Sequence, residues 1–234
     1  MGRQTVCTVL YLLKRKYRGD GMKLGNIMIF GDSYSTYEGY IPDGYAVYYS
    51  GHRVDGPDIF DPKDTWWGRI LALTDAKLVQ NNSWSGSTIG YTGYDNDDCS
   101  HSSSFIYRFE KLLEEGFFEL NKIDTLFVFG GTNDSWSNAP LGELKYDGAE
   151  ESDFFFVLPA VCHFAKRLSE VLEGTKIIFI GNCDIKSEIT EAFKGVCERY
   201  GFTYVGLSGI DKFYGHPTEL GMEQICRQIL AKID

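Results

Sequence analysis

The segment Asn26-Ile27-Met28-Ile29-Phe30-Gly31-Asp32-Ser33 decides the fold, because a short apolar run passes without a break into a Gly-Asp-Ser turn. Such a run, bounded by a turn signal, reads as a buried strand. Four similar runs follow: Lys77 to Asn81, Thr125 to Phe129, Lys176 to Ile180 and Thr203 to Gly206. Between them the periodicity turns helical, at about Trp66 to Leu73, Ser103 to Glu115, Pro159 to Glu173, Ser187 to Tyr200 and Pro217 to Ile233. Strands alternating with helices predict a three-layer α/β/α sandwich around a parallel sheet. Right-handed crossovers favour a flavodoxin-like doubly wound order, 2-1-3-4-5, whose switch point lies beside the carboxyl end of the first strand. Ser33 therefore falls where ligands bind.

Composition agrees with one globular unit. The chain has 234 residues, 43% hydrophobic and 24% charged, so a large core can be buried without a metal or disulfide staple. Its 33 acidic against 23 basic residues give a formal charge of −10, which repels phosphate backbones and anionic lipid surfaces. Nucleic acid and membrane are not expected partners. Six scattered cysteines form no C-x-x-C pair and have no histidine at ligand spacing, and they read as free thiols of a reducing, cytoplasmic compartment.

Residues 1–21 differ from the rest. An apolar run from Val6 to Leu13 precedes Lys14, Arg15, Lys16 and Arg18, the reverse of a secretory signal, and it is too short to cross a bilayer. We expect an extension outside the core, with residues 22–234 as a single domain. Two long irregular stretches, Ser35 to Thr65 and Ser83 to Ser102, both follow a strand's carboxyl end, as binding loops do. The first is rich in rings, among them Tyr34, Tyr37 and Trp66 at its edges, and the second carries Trp84. These four are candidate substrate-binding residues, since flat rings stack on sugars or hold acyl chains. The competing reading is that the rings form the loop's own small core.

A serine at a strand-to-helix turn is a cap or a nucleophile, and the second role needs a base. Of the four histidines, His163 lies in a helical pattern and His52 and His101 in the long loops, whereas His216 follows the last strand and precedes Pro217, a favoured first helical position. Asn133, after the third strand, and Gly86, after the second, are able to offer N–H groups to an oxyanion together with the Ser33 backbone. Turn chemistry alone also accounts for Asn and Gly there.

Taken together, these segments resemble the SGNH (GDSL) hydrolases. Ser33 in Gly31-Asp32-Ser33, Gly86 in Ser85-Gly86, Asn133 in Gly131-Thr132-Asn133-Asp134 and His216 in Gly215-His216-Pro217 match the family's four blocks in order. The resemblance implies a serine esterase working through an acyl-enzyme without cofactor or metal, on a small ester such as an acetylated sugar. It implies Ser33 as nucleophile, His216 as base, and Ser33, Gly86 and Asn133 as the oxyanion hole. One departure stands out. The family usually places its triad aspartate three residues before the histidine, and here that residue is Phe213. Asp211 is the expected orienting acid, Asp184 its competitor, and a backbone carbonyl serving a Ser–His dyad the third option. The missing acid also supports a different class of protein, a catalytically silent carbohydrate-binding or interaction module. No G-x-S-x-G elbow, G-x-G-x-x-G, P-loop or H-E-x-x-H motif competes.

Overall fold

In the computed structural model, which describes residues 23–52 and 55–233, five parallel strands pair in the order β2-β1-β3-β4-β5. They are β1 (Asn26–Gly31), β2 (Lys77–Ser83), β3 (Thr125–Phe129), β4 (Lys176–Gly181) and β5 (Thr203–Gly206). The expected topology is the one observed. The stretch 1–21 lies outside the described residues.

Strand periodicity explains the three layers. Met28, Phe30, Leu126, Val128, Ile177 and Phe179 point to one face, while Ile27, Ile29, Phe127, Phe129, Ile178 and Ile180 point to the other. Both alternating sets are apolar, so neither face tolerates water. Helices α2 (Phe105–Glu114), α5 (Val157–Val171) and α6 (Ser187–Tyr200) cover the first face; α1 (Trp66–Leu73) and α7 (Glu219–Ile233) cover the second. Each fully buried Ile or Phe contributes about 1.5–3 kcal/mol relative to exposure.

Four elements differ from expectation. Short helices α3 (Phe117–Leu120) and α4 (Thr132–Trp136) are too brief to show a period. The last helix begins at Glu219 and not at Pro217, with the Thr218 hydroxyl accepting from Gly221 N as its cap. The residues before it form a hairpin of β6 (Lys212–Phe213) and β7 (His216–Pro217). Its central residues Tyr214 and Gly215 have φ of 46° and 81°, the left-handed pair that a tight hairpin turn needs. Among the described residues no helix is long and apolar enough to cross a membrane.

Candidate active site

β1 must end in glycine. A Cβ on Gly31 would lie 2.6 Å from Ser83 Oγ and 2.7 Å from Ser35 Oγ, so any side chain would push the next turn off the sheet. That turn, Ser33–Ser35, is a single 3₁₀ turn capped by Asp32, whose Oδ1 accepts from Tyr34 N at 3.0 Å. Its end is pinned at the Ser35 carbonyl, which accepts from Asn81 Nδ2 at 2.7 Å and Trp67 Nε1 at 2.9 Å. Ser33 is thus presented on a rigid support.

His216 reaches it from the far end of the chain. Nε2 of His216 lies 2.9 Å from Ser33 Oγ. Three tyrosines hold the histidine: the Tyr34 hydroxyl donates to the carbonyl of Gly215, that of Tyr49 donates to the carbonyl of Pro217 at 3.0 Å, and the Tyr48 ring stacks on the imidazole at 3.5 Å. The backbone is therefore gripped on both sides of His216. Nδ1 faces the Tyr214 carbonyl at 3.4 Å. With Nε2 accepting from serine, Nδ1 carries the proton and that carbonyl is its acceptor.

Asp211 is not brought to the imidazole. The hairpin pairs Phe213 with His216 and Lys212 with Pro217, so Asp211 falls beside Thr218, whose hydroxyl donates to its carboxylate. Asp184 is taken up as well, by Lys212 Nζ, which keeps its pKa below the usual carboxylate value. Phe213 stands directly across the hairpin from His216. Replacing Asp211 by alanine should leave kcat within about threefold while lowering the melting temperature by roughly 2–4 °C through the loosened helix start. An order-of-magnitude fall in kcat with unchanged melting would return Asp211 to the imidazole.

Asn133 sits in α4, 3% exposed. Its Nδ2 donates to the Ser87 carbonyl at 2.9 Å and its Oδ1 accepts from the Tyr94 hydroxyl at 2.9 Å. These two partners fix which way the amide faces and leave one N–H of Nδ2 for another acceptor. Gly86 is exposed, with a φ of 84° that a side chain would strain, at the head of the segment 86–90. Asp134 shapes that segment: its carboxylate accepts from Ile89 N at 3.0 Å and Gly90 N at 3.3 Å, and burial raises its pKa to about 6.

Three of the four expected substrate-binding residues are placed in the core. Trp66 is fully buried, edge-on to Phe127 and Phe129, and Tyr37 is 5% exposed, because the long loop folds its rings inward to satisfy its own packing. Tyr34 is buried behind His216 at a ring separation of 5.5 Å, a support and not an open face. Trp84 is partly exposed and lies against Tyr45 at 4.3 Å. A ring outside that set that faces both solvent and His216 is Trp136, 38% exposed and 5.9 Å from the imidazole. Sequence reading missed it, along with Tyr94, and while Tyr48 and Tyr49 count among the rings of the long loop, their hold on His216 depends on contacts far along the chain.

Asp32 carries a pH signature. It is wholly buried, its Oδ2 has no hydrogen-bond partner among the described residues, and burial raises its pKa from 3.8 to about 7. The folded state thus holds this proton more tightly than the unfolded chain. The resulting penalty is complete above pH 7 and disappears as pH falls toward 4. Asp32→Asn keeps an acceptor for Tyr34 N but removes the charge. The variant should be more stable than the parent above pH 7, by on the order of 3 kcal/mol, with the gap closing toward pH 4 in thermal melts. A gap that is constant across that range would reject the assignment.

Known proteins share this arrangement of elements. The sequence model of the GDSL-like Lipase/Acylhydrolase family matches residues 25–233. A protein from Bacteroides ovatus assigned as a GDSL-like lipase is 37% identical, superposes with a TM-score of 0.82, and is matched over 90% of this chain and 98% of its own. Its counterpart from Bacteroides uniformis is 34% identical, with a TM-score of 0.81 over 89% of this chain and 94% of its own. An acetyl xylan esterase from Butyrivibrio proteoclasticus, 18% identical, shares the fold at a TM-score of 0.52 over 90% of this chain and 63% of its own. No curated protein sequence matches. Since the family match runs from the first strand to the last helix, and two solved relatives align over nearly their whole length, the chain belongs to the GDSL-like lipase/acylhydrolase family.

Proposed function

We propose that the protein hydrolyses a small carboxylic ester through an acyl-enzyme at Ser33. The observation that carries this reading is the 2.9 Å approach of His216 Nε2 to Ser33 Oγ. In the first half-reaction Ser33 Oγ bonds to the ester carbonyl carbon and its proton passes to Nε2. The carbonyl oxygen, now anionic, accepts from the backbone N–H of Ser33 and Gly86 and from the remaining Nδ2 hydrogen of Asn133. The tetrahedral centre collapses, the bond to the alcohol oxygen breaks, and Nε2 returns its proton to the leaving alcohol. Water then repeats the sequence on the acyl-serine, releasing the acid.

Imidazolium formed during this cycle is stabilised at Nδ1 by the Tyr214 carbonyl and over its face by Tyr48. For substrate, an acetylated carbohydrate suits the exposed ring of Trp136 beside His216, which offers a sugar a flat surface.

Purified protein incubated with a fluorophosphonate should be labelled at Ser33 alone, as read by peptide mass spectrometry. A panel of acetylated sugars, short nitrophenyl esters and acyl thioesters should show the highest kcat/KM for the acetylated sugars. Absence of both labelling and turnover would favour a catalytically silent binding module. Preference for thioesters or long acyl chains would reject the carbohydrate assignment while leaving the serine mechanism.

A further inference from the structure

Arg108 on α2 is 1% exposed, and among the described residues no carboxylate touches it, buried Asp32 acting on its charge only at longer range. A guanidinium in that position is costly, because a buried charge normally requires an opposite charge in contact. Its hydrogen bonds all go to neutral acceptors. Nε donates to Ser103 O at 2.8 Å, Nη1 to the backbone and side-chain oxygens of Asn82 at 2.5 and 2.6 Å, and Nη2 to Gly31 O at 3.3 Å and Ser87 Oγ at 3.2 Å. Phe30 and Phe105 enclose it, each ring centroid 4.7 Å from the guanidinium carbon.

The acceptors are not a random set. Gly31 lies two residues before Ser33, Ser87 directly follows Gly86, and the carbonyl of Ser87 holds Nδ2 of Asn133. Each group assigned to the oxyanion hole is thus a short covalent or hydrogen-bonded step from this one side chain. A neutral staple would tie the same strands together without bringing a charge into the core. A cation becomes favourable there when negative charge develops close by in a site that water does not screen.

We propose that Arg108 is a positioning residue of the oxyanion site, holding the segments that carry its donors and placing a fixed positive charge beneath the developing anion. This rests on the serine esterase reading above. Its planar fork satisfies acceptors on three segments at once, which a lysine ammonium cannot do, while lysine keeps the charge.

The test compares the parent protein with Arg108→Lys, Arg108→Met and Ser87→Ala, on nitrophenyl acetate at a temperature where circular dichroism shows each variant folded. Arg108→Met should lower kcat about a hundredfold with KM within about threefold, and Arg108→Lys should recover part of that loss, to within about tenfold of the parent. Ser87→Ala deletes one acceptor of Nη2 but keeps the carbonyl that holds Asn133, and should lower kcat severalfold. Should Arg108→Met fail to fold, the lysine and Ser87 variants still decide. Unchanged kcat in both, loss confined to KM, or equal losses in lysine and methionine variants would overturn the proposal. A parent protein with no Ser33-dependent turnover would instead overturn the esterase reading and this inference with it.

Discussion

Replacing His216 by alanine is expected to cut kcat for ester hydrolysis by about 10⁴-fold or more, with Ser33→Ala giving a loss of the same order. Serine is a weak nucleophile at neutral pH, and among the described residues His216 Nε2, 2.9 Å from its Oγ, is placed to take the proton. Because the two side chains act as one unit, the double variant should be no slower than the worse of the single ones. Folding should survive, since the hairpin keeps its tyrosine clamps at Gly215 and Pro217. The measurement is steady-state turnover of nitrophenyl acetate beside a thermal melt. Losses that multiply in the double variant would show that the pair does not work together, and retention of most of the rate in either single variant would remove that residue from the mechanism.

The next largest effect is expected at Asn133. Removal of one oxyanion donor typically costs 10²- to 10³-fold in kcat, about 3–4 kcal/mol, with KM little changed, because the bond is strong only in the transition state. Asn133→Ala also releases Ser87 O and the Tyr94 hydroxyl, so its effect mixes chemistry with loop support. Tyr94→Phe separates the two, because it frees Oδ1 while leaving the Nδ2 donor and its Ser87 anchor in place. The phenylalanine variant should lose no more than about tenfold. If it loses as much as Asn133→Ala, the asparagine acts by supporting the loop and not by donating to the anion.

The place of Asp211 shows how a local sequence count misleads. Counting back from His216 makes Asp211 the nearest carboxylate. The left-handed turn at Tyr214 and Gly215 folds the segment into a hairpin, and its register pairs Asp211 with Thr218. A Tyr-Gly pair between two short extended runs was the available signal for that turn. The grip of Tyr34, Tyr48 and Tyr49 on His216 had no such signal, since rings in a long loop read equally well as core or as binding surface. Arg108 was equally silent, a single basic residue in a helical pattern, and only burial among carbonyls distinguishes it from an exposed one.

What the sequence determined by itself was the order of the sheet, the placement of Ser33 at its switch point, and the appearance of Gly86, Asn133 and His216 after β2, β3 and β5. These follow from short-range rules: apolar alternation with a period of two, helical periods between, and the fixed hand of crossovers. Tertiary structure alone decided that Ser33 and His216, separated by 183 positions, meet at hydrogen-bond distance, that neither Asp184 nor Asp211 joins them, and that a buried guanidinium bonds Gly31 O and Ser87 Oγ. The physical reason is that these are polar contacts between distant segments. Their geometry is set by how packed layers bring loop ends together, and no local period records it.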